Sequence, residues 1–121
     1  MSLHTLHHVQ LAMPKGQEDA ARGFYVGLLG LDETVKPPVL ARRGGVWFES
    51  GAVRVHLGVE DGFRPALKAH PALVTDDLDA LARVLSKAGA PVIHDIDLPG
   101  YRRFYTADPF GNRIEVLEPL E

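Results

Sequence analysis

Two halves of this sequence carry the same succession of elements: a strand, a helix and three further strands. Leu6 to Met13 alternates, with Val9, Leu11 and Met13 on one face and His8, Gln10 and Ala12 on the other. From Gln17 the spacing turns helical, and Ala20, Ala21, Phe24, Tyr25, Leu28 and Leu29 form an apolar stripe that Gly30 stops. Leu31 to Val35 reads as a short strand broken by Pro37-Pro38, and Gly45 to Glu49 with Val53 to Val59 as a hairpin turning at Ser50-Gly51. After the polar stretch Glu60 to Pro65 the pattern restarts. His70 to Thr75 matches the first strand, and Asp76 or Asp77 caps a helix carrying Leu78, Leu81, Leu85 and Ala88 that ends at Gly89. Extended pieces follow at Pro91 to His94, Arg102 to Thr106 and Arg113 to Glu118. His8 and His70 stand 62 residues apart and Gly30 and Gly89 stand 59, so the halves superpose in pattern with little drift.

A chain of 121 residues, 45% of them apolar, suits one compact domain. Its modules are expected at about 1–62 and 66–121. There is no cysteine, so any metal ion would be held by nitrogen and oxygen donors. A net charge of −3 and a pI near 6.0 argue against a nucleic-acid partner, which needs a dominant basic footprint. The opening residues lack the basic start and apolar run of a signal peptide, and no run is long enough to span a bilayer, so a cytoplasmic protein is expected.

The last strand carries the most pointed chemistry. Asp108-Pro109-Phe110-Gly111-Asn112 is a turn by composition, and beyond it Ile114 and Val116 share one face while Arg113, Glu115 and Leu117 share the other. A mid-strand carboxylate between β-branched neighbours needs solvent or a cation. In a pseudo-twofold repeat, matching positions on equivalent strands converge, and parity aims His8, His56 and Glu115 away from the helix-covered core, with His70 at the start of the strand equivalent to that of His8. Three imidazoles and one carboxylate suit a divalent ion such as Zn, Fe, Mn, Co or Ni. His7, as the neighbour of His8, is expected to point the other way. Gln10 and Arg54 fall on the ligand face by parity; Trp47 and Arg103 also belong near it, and an Arg beside a Tyr hydroxyl suits a carboxylate or phosphonate.

Leu6-His7-His8-Val9-Gln10-Leu11, Phe24-Tyr25 with Leu28-Leu29-Gly30-Leu31, Asp76-Asp77-Leu78-Asp79, and Asp108-Pro109-Phe110-Gly111-Asn112-Arg113-Ile114-Glu115 follow one another in an order that resembles the vicinal oxygen chelate superfamily. That superfamily includes glyoxalase I, bleomycin-resistance proteins, fosfomycin thiol transferases and extradiol dioxygenases. The resemblance implies an α+β fold of two βαβββ modules forming a cupped eight-stranded mixed sheet with the helices on its outer face. It also implies metal ligands at His8, His56, His70 and Glu115, with His56 and Glu115 as the catalytic pair, and a substrate-facing Tyr105. A homodimer acting on a small-molecule substrate by lyase, isomerase or dioxygenase chemistry is the implied state. One departure stands out: where glyoxalase I commonly has a second carboxylate in the fourth strand, this chain has His56, as ligand or base. The alternative implied by the same family is a metal-free protein that sequesters an antibiotic or similar aromatic ligand.

Overall fold

A computed structural model describes residues 1–121, which divide into two compact units, Met1–Phe63 and Arg64–Glu121. The first contains β1 (Val9–Met13), α1 (Glu18–Tyr25), β2 (Asp32–Thr34), α2 (Pro38–Ala41), β3 (Val46–Ser50) and β4 (Val53–Val59). Its sheet runs β1-β4-β3-β2, with β1 parallel to β4 and the remaining pairs antiparallel. Val46, Phe48, Val55 and Leu57 form the buried face because alternation puts them on the side that α1 covers. Tyr25 of α1 stacks on Phe48 at 5.1 Å between ring centroids. Each such fully buried ring contributes about 2 kcal/mol through area removed from water.

The second unit contains β5 (Ala72–Val74), α3 (Leu78–Lys87), β6 (Ile93–His94), β7 (Tyr101–Ala107) and β8 (Arg113–Pro119). Its sheet repeats the arrangement, β5-β8-β7-β6, with β5 parallel to β8. Phe104, Thr106, Ile114 and Val116 are buried beneath α3, which contributes Leu78 and Leu85. Asp77 caps α3 by accepting from the Ala80 amide at 3.0 Å, as its type at that position suggested.

The expected α+β architecture of two βαβββ modules is therefore present, with the eight strands divided into two four-stranded mixed sheets that do not close. Three local expectations change. Regular helix α1 ends at Tyr25, because the chain then widens into five-residue turns: the amides of Gly27 and Leu29 reach back to the carbonyls of Arg22 and Phe24, and a Cβ at Gly27 would stand 2.3 Å from the Gly23 oxygen. Pro37-Pro38 does not simply break the chain but opens the short helix α2, since proline at a first helical position loses no hydrogen bond. Finally, β1 begins at Val9 instead of Leu6, so strand parity does not govern His7 and His8. No helix is long and apolar enough to cross a membrane.

Candidate functional site

In the second module the site begins with the turn before β8. The buried Asp108 carboxylate accepts from the Phe110 and Asn112 amides through Oδ1, both at 2.9 Å, and from Asn112 Nδ2 through Oδ2 at 2.9 Å. Gly111 closes the turn at φ +88°, a region that only glycine enters without strain. The turn sets the register in which Glu115 lies between Ala72 of β5 and Tyr105 of β7, on the face away from α3.

Glu115 is only 4% exposed, and both of its oxygens are engaged. Oε2 accepts from Arg103 Nη1 at 3.1 Å, while Oε1 stands 2.9 Å from His70 Nε2. Arg103 also donates from Nη1 to the Tyr105 hydroxyl at 3.1 Å and from Nε to the Ile96 carbonyl at 2.9 Å. Its hydrogen bond to Glu115 raises the Arg103 pKa above the usual arginine range, so the guanidinium stays charged. The other ring nitrogen of His70, Nδ1, lies 2.8 Å from the Lys68 carbonyl. A carbonyl can only accept, so Nδ1 carries a proton. In the neutral ring Nε2 is then a lone pair aimed at a carboxylate oxygen, two acceptors 2.9 Å apart. A proton shared between ring and carboxylate, or a metal ion held by both, would make that contact favourable.

In the first module the equivalent row across β1, β4 and β3 is Gln10, His56 and Trp47. Trp47 stacks on His56 at 4.1 Å and 7°, and His56 stacks on His8 at 4.2 Å and 16°. His7 meets His8 edge-on, with their Nδ1 atoms 2.9 Å apart. Burial lowers the His56 pKa below the usual histidine range, and neighbouring positive charge from His8, His7 and Lys36 adds to the effect. Lack of a side chain at Gly58 makes room for Gln10, whose Nε2 would stand 2.4 Å from a Cβ there. Arg54 turns aside, bonding the His7 carbonyl at 3.2 Å and pairing with Glu49 at 3.7 Å.

The structure thus brings His70, Glu115, Arg103 and Tyr105 together in one module, and His8, His56, Gln10 and Trp47 together in the other. His7 does not point away as expected; it lines the same cavity as His8, because both precede the strand. Lys36 and Arg43 line that cavity too, from the segments flanking α2, and Lys36 lies 5.6 Å from the Trp47 ring centroid. Neither follows from strand parity or helical spacing; the signal for them is basic residues flanking Pro37-Pro38 and Gly44-Gly45, which mark a built loop. Arg113, 3.9 Å over the Tyr105 ring, was likewise missed.

Paired βαβββ modules, each with an open sheet and polar groups on the face away from its helix, define a domain of the vicinal oxygen chelate fold. The chain is similar along 99% of its length, at 44% identity and a TM-score of 0.93, to 98% of a solved glyoxalase-family protein from Bacillus anthracis. The profile of the glyoxalase/bleomycin resistance protein/dioxygenase superfamily matches residues 5–116, and the chain belongs to that superfamily. Two more distant structures share its fold. A lactoylglutathione lyase from Agrobacterium tumefaciens is 23% identical, with coverage of 98% and 96% and a TM-score of 0.73. An antibiotic-binding protein from a Streptomyces species is 24% identical, with coverage of 98% and 100% and a TM-score of 0.73. No curated protein matches significantly.

Members of the superfamily commonly use divalent metals and bind small molecules. The His70–Glu115 pair would offer such an ion two donors, an imidazole nitrogen and a carboxylate oxygen. Each donor also has the outer partner that metal ligands characteristically have, Lys68 O on the imidazole and Arg103 on the carboxylate. No group of three or more His, Asp or Glu side chains gathers as a metal-holding set.

Proposed function

We propose that the chain is a small-molecule enzyme that holds a divalent ion, Zn, Fe, Mn, Co or Ni, through His70 Nε2 and Glu115 Oε1. The ligand assignment made from sequence and resemblance, His8, His56, His70 and Glu115, is kept in this reading, with His56 as ligand or base. The observation that carries it is the contact between two electron-pair donors, His70 Nε2 and Glu115 Oε1, fixed in place by Lys68 O and Arg103. A divalent ion there supplies a Lewis acid for a substrate oxygen, the common requirement of lyase, isomerase and dioxygenase chemistry on small oxygenated metabolites or xenobiotics. Arg103 keeps the Glu115 carboxylate from rotating. The Tyr105 oxygen accepts from Arg103, which leaves its own proton free to donate to a substrate oxygen. Gln10, Trp47 and Arg54 are the substrate-contacting candidates of the first module. Homodimeric assembly and a cytoplasmic setting belong to the same reading.

A second reading, a metal-free protein that sequesters an aromatic compound, is favoured by the lack of a three-donor set and by the Trp47–His56–His8 stack. Calorimetric titration of chelator-treated protein with Zn²⁺ and Mn²⁺ separates the two. The enzyme reading expects about one ion per chain and a loss of about 100-fold in affinity in His70→Ala, since even outer partners are worth 10 to 100-fold. Failure of any divalent ion to bind stoichiometrically leaves the sequestering reading standing.

A further inference from the structure

We propose that Asp95 is a positioning residue of the His70–Glu115 site, coupled to the charge on Glu115 through Arg103. The Arg103 guanidinium is divided between two anions. Nη1 donates to Glu115 Oε2 at 3.1 Å, whereas Nη2 makes no hydrogen bond and stands 3.6 Å from Asp95 Oδ2. Nε donates to the Ile96 carbonyl at 2.9 Å, so the residue next to Asp95 is held by the same planar group. Asp95 and Ile96 lie just past β6 on the exposed connection to β7, whose far end is closed by the Tyr101 amide on the Leu98 carbonyl at 2.9 Å. Arg103 anchors the near end.

Charge gives the arrangement its use. Glu115 is buried and already has Arg103 on Oε2, so a divalent ion on Oε1 sets two positive centres on one carboxylate. Their repulsion is poorly screened in a site shielded from water. A second carboxylate beside the guanidinium offsets it, because Nη2 can close on Asp95 while Nη1 stays on Glu115. Asp95 is exposed and outside any strand, so the approach from 3.6 Å to hydrogen-bond distance disturbs no core packing. The pair is loose while Glu115 is an unshared anion and tightens when that charge is taken up. By linkage, whatever the ion tightens favours the ion in return. That a metal ion takes up the charge rests on the proposed function; that Arg103 couples the two carboxylates does not.

The test uses the full chain and has two arms. In Asp95→Asn the side chain still offers Oδ1 to the Ile96 amide, a contact of 2.7 Å, and loses only its charge. Calorimetric titration with Zn²⁺ is expected to show an affinity about fivefold weaker in this variant, a modest coupling because Asp95 is exposed, and the difference shrinks as salt rises. In an Arg103→Met background the same substitution should change nothing, which separates action through the arginine from a general loosening of the loop. The second arm is run in chelator. Ile96 is one of three isoleucines, so its δ1 methyl resonance is simple to assign. Glu115→Gln is expected to shift that resonance, and the shift should vanish when Asp95→Asn is already present. An unchanged Zn²⁺ affinity in Asp95→Asn, an effect that survives Arg103→Met, an Ile96 methyl that ignores Glu115→Gln, or a shift that persists without the Asp95 charge would each overturn the proposal. If Zn²⁺ fails to bind the unaltered chain, the proposed function falls and the chelator arm alone decides on Asp95.

Discussion

Glu115→Gln is expected to weaken divalent-metal affinity by at least about 100-fold, because it replaces the anionic donor while an outer partner alone is worth 10 to 100-fold. The amide keeps the shape of the side chain and can still accept from Arg103 through its oxygen. The apolar neighbours that hold β8, Ile114 and Val116, are fully or almost fully buried on the opposite face and remain untouched. The fold should therefore survive, with a stability cost of about 1 kcal/mol for exchanging a charged hydrogen-bond partner for a neutral one. Arg103→Met provides the graded contrast: it removes the group that orients the carboxylate but not the donor, and an intermediate loss of about 10-fold is expected. Metal titration with a urea unfolding curve on each variant checks both. Equal loss of metal affinity and stability in the two variants would mean that the arginine and the glutamate matter only as a structural ion pair.

Asp108→Ala is expected to be the most damaging change for stability, about 3 kcal/mol. The carboxylate is 5% exposed and accepts from two backbone amides and the Asn112 side chain, all at 2.9 Å. Alanine leaves those donors without their acceptor in a place that water reaches poorly, and a buried donor left unsatisfied costs more than the bond itself was worth. Urea unfolding reads this directly, as a shift of the midpoint by about 1 to 3 M at an unchanged slope. Asp108→Asn, which keeps an acceptor oxygen, should lose markedly less. The turn matters beyond stability because it sets where β8 begins, and a slip of one residue would turn Glu115 from the site face to the core face.

That turn also shows what was readable in the chain. Asp-Pro with Gly-Asn has a mechanism at each position, so the reversal, the start of β8 and the side on which Glu115 stands all followed from residue type and alternation. The helix stripes followed from the spacing of apolar residues, whereas the parallel pairing of the first and last strands of each module emerged only in the structure. Parity failed at His7 because it holds only inside a strand, and β1 starts at Val9. Lys36 and Arg43 escaped notice because the loop carrying them has no counterpart in the other module, so the repeat gives it no register. The proton on His70 Nδ1 was not legible at all: it depends on where a backbone carbonyl, that of Lys68, happens to lie. Arginine beside tyrosine suits an anion, and in the folded chain Arg103 pairs with two of the protein's own, Glu115 at 3.1 Å and Asp95 at 3.6 Å.

The anomalous scattering of crystals grown with Co²⁺ or Zn²⁺ bears most directly on what His70 and Glu115 do. A difference peak about 2.1 Å from both His70 Nε2 and Glu115 Oε1 is the expected result. Density that leaves this pair in direct hydrogen-bond contact, with the ion elsewhere or nowhere, would contradict it.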